Sequence, residues 1–152
     1  MADLYEADVL EWSEQQARLL RRLAAGEVGN EPPDWANIIE EVESVGRSEF
    51  NAVQSLLVQA LAHDLKCRAW PDVPSVPHWR AENRGFRTDA ARSFTPSMRQ
   101  RLDLARLYRQ ARQRLPETLD DLPPLAAPSS CPWTLDELLA DPDEEMDGSS
   151  EE

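Results

Sequence analysis

The chain has 152 residues, 41% of them apolar and 7% aromatic, enough for one domain of ordinary size and too few for a large enzyme. Its 16 basic and 29 acidic residues give a formal charge of −13, which excludes a protein that coats nucleic acid by bulk positive charge. No run approaches the roughly 20 apolar residues of a membrane span, and a start carrying Asp3, Glu6 and Asp8 lacks the basic opening of a secretory leader, so a cytoplasmic protein without membrane contact is expected.

Residues 3–25 read as a first helix, because Tyr5, Val9, Trp12, Leu19, Leu20 and Leu23 recur at steps of three and four. Asp3 and Glu6 make a capping pair for it and Gly26 a stop. After Pro32 and Pro33, Asp34 caps a second helix whose stripe of Trp35, Ile39, Val42, Gly46, Phe50, Val53, Leu57, Ala60 and Leu61 persists to about Cys67, unless Gly46 breaks it. Pro71, Pro74 and Pro77 then force a non-helical strap. A third helix carries Trp79, Phe86 and Ala90 on one face. A fourth starts with Thr95 as cap and Pro96 at its first position, and turns Met98, Leu102, Ala105 and Tyr108 inward until Leu115.

Residues 116–132 hold five prolines and are expected to wrap the domain in extended form. Thr134 and Glu137 make a capping box for a short last helix with Leu135, Leu138 and Leu139. The fold class is therefore all-α, roughly a four-helix bundle with a proline-rich wrap, as a single domain over 3–140. Residues 141–152 are acidic, with Met146 their one sizeable apolar side chain, and read as a disordered tail.

Charge falls in three blocks: −8 over 1–49, +7 over 50–116 and −12 over 117–152. An arginine-rich middle is thus bracketed by acidic ends, with Lys66 the only lysine. Cys67 and Cys131 lie far apart and belong to no Cys-x-x-Cys pair, so they read as free thiols and no zinc module is expected.

Tyr5-Glu6-x-Asp8, Trp12 with Gln16-Ala17, and the run Trp35-x-Asn37-Ile38-x-Glu40-Glu41-Val42-Glu43-Ser44-Val45-Gly46-Arg47-Ser48-Glu49 resemble the first half of the family called domain of unknown function 29. His63-x-Leu65-Lys66, Pro71, Trp79-Arg80, Arg87, Pro96-Ser97-Met98-Arg99, Tyr108-x-x-Ala111-Arg112 and Cys131-Pro132-Trp133-Thr134 resemble its second half. The resemblance spans roughly residues 4–139 and implies a small all-helical bacterial protein with no established biochemical role. Cys67 stands where that family usually has tryptophan, and Gly85-Phe86 where it usually has Glu-Gln.

Four residues are candidates for chemistry. Glu40 and Glu43, with Arg47 at i+7, share one helix face, which makes either a salt-bridged edge or a carboxylate pair for Mg²⁺ or Mn²⁺. All-α nucleotide pyrophosphatases pair such a Glu-x-x-Glu with a later Glu-x-x-Asp, and here Glu117-x-x-Asp120 falls in the wrap, off any helix. Glu49 lies on the inner stripe, where a carboxylate needs a partner, and Arg112 is drawn toward the inner face of its own helix. A buried Glu49–Arg112 bridge is the expectation, an acid of shifted pKa the alternative. His63 stands fourteen residues beyond Glu49, about 21 Å along a straight helix, so the two cannot share a metal, and His63 reads as a satisfied core histidine. His78, in the strap, is weaker still.

The basic residues Lys66, Arg68, Arg80, Arg84, Arg87 and Arg92 cluster with Trp70 and Trp79, and could dock phosphates, hold the chain's own acidic tail or hold an acidic protein. No phosphate loop, nucleophile elbow or zinc-ligand series is present. The function expected is a non-catalytic interaction or regulatory module, binding an acidic or other protein partner, or nucleic acid, through Arg47, Lys66, Arg68, Trp79, Arg80, Arg84, Arg87 and Arg112. It needs no cofactor. The alternative is a metal-dependent nuclease or nucleotide phosphohydrolase using Glu40, Glu43 and Glu49 with Mg²⁺ or Mn²⁺. Composition leaves the oligomeric state open.

Overall fold

The computed structural model describes residues 3–140, so the tail read at 141–152 lies outside the described residues. Within them the chain is all-α, with seven helices: α1 (Leu4–Ala7), α2 (Val9–Ala24), α3 (Trp35–Ala69), α4 (Val76–Ser93), α5 (Pro96–Arg101), α6 (Leu104–Gln113) and α7 (Leu135–Leu139). Among the described residues no helix is long and apolar enough to cross a membrane. The chain divides into two compact units, Met1–Ser48 and Glu49–Glu152, and the boundary falls inside α3.

In the first unit the helix expected over 3–25 is two helices. Asp8 leaves helical geometry and its carboxylate accepts from the Glu11 amide at 3.0 Å, capping α2. Asp3 makes no side-chain cap bond, so the Asp3–Glu6 pair does not form. The apolar spacing hid this break, because Tyr5 and Trp12 still meet edge to face at 4.8 Å across it. Gly26 ends the element at φ +78°, where a Cβ would be strained. Asp34 caps α3 through the Asn37 amide and also accepts from the Trp12 indole at 3.0 Å, while its own amide donates to Gln16 at 2.7 Å. One aspartate thus ties the start of α3 to the buried face of α2.

Gly46, near the end of the first unit, does not interrupt α3, and in the second unit full burial of the stripe begins at Val53. Leu57, Leu61 and Leu65 pack with Ala90 of α4, Met98 of α5, Leu107 and Tyr108 of α6 and Leu138 of α7. Each fully buried leucine contributes about 2 kcal/mol relative to exposure. A smaller cluster joins Ala69, Trp70, Val76 and Trp79. The strap is shorter than expected, since α4 begins at Val76 and takes Pro77 into its first turn, where a missing amide proton costs nothing.

The expected fourth helix is also two. Leu102 and Asp103 are extended, and Asp103 caps α6 by accepting from the Arg106 amide at 3.1 Å. That break re-phases the helix, so Leu107, Tyr108 and Ala111 are buried and Ala105 is exposed. Thr95 precedes Pro96 as expected but makes no side-chain cap bond.

The wrap turns tightly at Asp120 and Asp121, both at positive φ, closing an isolated bridge between Leu119 and Leu122. Three bonds fasten it: Trp70 indole to the Leu122 carbonyl (3.1 Å), Leu125 amide to the Ala69 carbonyl (2.9 Å), and Tyr108 hydroxyl to the Pro128 carbonyl (2.6 Å). The Thr134–Glu137 capping box forms at the start of α7.

Candidate functional site

The acidic candidates sit on exposed helix. Arg47 pairs with Glu40 at 2.5 Å and with Glu43 at 3.6 Å, and all three side chains are more than half exposed. Such pairs stabilise a helix by a few tenths of a kcal/mol. Glu49 is exposed rather than buried, and so is Arg112, whose guanidinium lies over the Tyr108 ring at 6.0 Å. The expected Glu49–Arg112 bridge is therefore absent. Its premise failed twice: the α3 stripe is fully buried only from Val53 onward, and the break before α6 rotated Arg112 outward. Among the described residues no group of three His, Cys, Asp or Glu side chains is placed to hold a metal ion.

The basic candidates separate into those that grip the chain itself and those that face solvent. Trp79 is buried in the smaller core cluster with Lys66 Nζ 5.8 Å from its ring centre, so it offers no free face for a base. Arg68 lies over Trp133 at 4.9 Å. Arg87 donates through Nε to the Leu138 carbonyl at 3.1 Å and through its other arm to the Glu137 carbonyl, holding the end of α7 where helix carbonyls lack partners. Arg99, not among the candidates, pairs with Asp136 at 2.8 Å. Arg80, Arg84 and Arg92 are exposed.

His63 centres a polar cluster in the second unit. His63 contacts the Gln59 carbonyl through Nδ1 (2.9 Å) and the Glu82 carboxylate through Nε2 (2.7 Å), with His78 Nε2 on the other Glu82 oxygen at 3.2 Å. Both ring nitrogens of His63 thus face oxygen atoms, which fixes the plane of the ring. The His63 hydrogen bond holds the Glu82 carboxyl below its ordinary value, with His78 and Lys66 adding to the effect.

Asp64 beside it was missed in the sequence. Burial raises its carboxyl above the ordinary range, against the Asn83 hydrogen bond and the charges of Arg87, Arg68 and His63. Its signal was available, because Asp64 follows Leu57, Ala60 and Leu61 at stripe spacing and so falls where an apolar residue belongs. Asn83, itself buried, donates to the Ala60 carbonyl at 2.7 Å. Burial also pushes the Cys67 and Cys131 thiols up, away from thiolate character, and both cysteines are free. Among the described residues no buried side-chain nitrogen or oxygen lacks a partner. Chemically, this cluster is a partly solvent-exposed network clamping α3 to α4.

A different surface is left open. On α3 before Gly46, Trp35 is 50% exposed, Ile39 55%, Val42 69% and Val45 66%. Asn37, Ile38, Glu41 and Ser44 form the half-buried face of the same segment, and Glu41 accepts from the Tyr5 hydroxyl at 2.6 Å. Next to Trp35 a cleft of about 440 Å³ opens between Leu19, Leu23 and Pro33, with Arg22 and Glu27 at its edge. The sequence stripe was correct in phase, but its first half meets water.

Architecture and surface together define a small all-helical protein with a polar network joining α3 to α4 and an open apolar ribbon. The chain belongs to the family described as domain of unknown function DUF29, whose model matches residues 4–142. It is similar to an alpha-helical protein of unknown function from Rhodospirillum rubrum known from a crystal structure, at 30% identity over 97% of this chain and 96% of that one, with a TM-score of 0.62. Comparison with curated proteins finds no match.

Proposed function

We propose that this chain is a non-catalytic interaction module of the cytoplasm that engages a protein partner through the exposed face of α3. The observation that carries the reading is the ribbon of Trp35, Ile39, Val42 and Val45, four large apolar side chains on one helix face, each at least half in solvent. Scattered apolar residues at a surface are ordinary, whereas a contiguous set on a rigid element marks a contact site. Charge segregation supports the same reading, since an acid-rich first unit and an arginine-rich middle give a partner distinct surfaces to recognise. The metal-dependent alternative needs free carboxylates, and Arg47 engages both Glu40 and Glu43.

The test is site-specific photo-crosslinking in the cell, from probes placed at Ile39 and at Val42 of the full chain. Discrete protein adducts are expected, and Trp35→Asp, distant from neither probe, should abolish them. No adduct from either position would overturn the reading. So would turnover of nucleotide, RNA or DNA by the pure protein with Mn²⁺ that is lost in Glu43→Ala while the fold persists.

A further inference from the structure

We infer that the partner on this face is a second copy of the chain: residues 35–48 of α3 are the seam of a two-fold homodimer whose helices pair antiparallel. The inference rests on the interaction reading and names its partner. Trp35, Ile39, Val42 and Gly46 are spaced four, three and four, the alternation of a two-helix seam in which each side chain enters a gap on the opposite helix. One antiparallel register sets Trp35 of each copy against Gly46 of the other. The same register sets Ile39 against Val42, and the two-fold axis repeats both layers, so the stripe is complementary to itself.

The fit of the outer layers is steric. A Cβ added at Gly46 meets nothing within 4 Å, so bare helix backbone lies where the largest side chain of the seam would arrive. On one flank Val45 faces Ile38 of the second copy, and on the other Glu43 faces Ala36, so the register forces no like-charged pair together.

Area agrees. The exposed parts of Trp35, Ile39, Val42 and Val45 amount to on the order of 400 Å² of apolar surface per copy, close to the somewhat more than half that is apolar in the roughly 800 Å² each partner contributes to a standard interface. Other occupants fit less well. Residues 1–49 carry −8, so nucleic acid and anionic bilayers are repelled here, and a basic partner would need no self-matching register. The same charge gives the dimer a signature, because two acid-rich units repel until salt screens them.

Sedimentation of the full chain over about 1 to 100 µM tests this. The expected result is a species of twice 17.2 kDa whose population rises with ionic strength. Gly46→Leu and Val42→Asp should each weaken association about tenfold or more while helix content, read by circular dichroism, is unchanged. Gly46→Ala is the sharper variant: in the dilute monomer it should raise thermal stability by removing a glycine from a helix interior, yet weaken the dimer. A monomer at every concentration and salt overturns the inference, as does a dimer indifferent to both Gly46→Leu and Val42→Asp. If the chain is monomeric but crosslinks from Ile39 and Val42 still capture another protein, the dimer falls and the interaction reading stands. If neither is seen, both fall.

Discussion

Glu82 and Asp64 face each other's neighbourhood across α3 and α4, and their carboxyls move in opposite directions. Glu82, facing His63, His78 and Lys66, is lowered, so it adds stability above the ordinary glutamate value, and that stability is lost as pH falls through its depressed folded value. Asp64 is raised by burial, so it costs stability above its raised folded value, and the cost disappears as pH falls to the ordinary aspartate value. Urea midpoints should show this directly. Glu82→Gln is expected to destabilise at neutral pH and to do nothing once both forms are protonated, whereas Asp64→Asn should stabilise at neutral pH and lose its advantage in acid. Equal effects at both ends of the range would show that the two carboxyls act by packing alone. This cluster was half legible in the sequence. His63 reads as a core histidine, but its partner Glu82 lies nineteen residues on, in a helix whose rotation no local pattern specifies.

At the scale of elements, what can be read from letters is periodicity and punctuation. The 35 residues of α3 and the capping box of α7 are both visible, one as a sustained stripe and the other as Thr134 and Glu137 three apart. The breaks at Asp8 and Asp103 are not, because apolar residues continue on either side of each aspartate. Asp103→Ala should therefore cost about 1 kcal/mol, within the 0.5–2 typical of a lost N-cap, by orphaning the Arg106 amide. Chemical denaturation of the full chain measures it, and no loss would mean that packing of Leu107 and Tyr108 alone sets the break. The docking of the wrap is also unreadable, for a separate reason. Its acceptors are the carbonyls of Ala69, Leu122 and Pro128, and every residue has a carbonyl.

Across the whole molecule, charge is the one property that composition displays completely. Residues 141–152 supply seven carboxylates, and removing them changes the net charge from −13 to −6. If those acids compete for Arg80, Arg84 and Arg92, the shortened chain should bind RNA, DNA or an acidic protein more tightly at low salt, with the gain shrinking as salt rises. Identical binding by both chains would mark these arginines as ordinary surface. Leu138 bears on another property of the chain, its biosynthesis. It is 1% exposed among residues of α3, α4 and α6, and the arginine that holds its carbonyl precedes it by 51 positions. The core of the second unit therefore waits for α7 to be translated. Until then Leu57, Leu61 and Tyr108 lack a wall, so a stalled ribosome or a premature stop would release a chain with a greasy opening, the kind of product that chaperones retain and proteases clear.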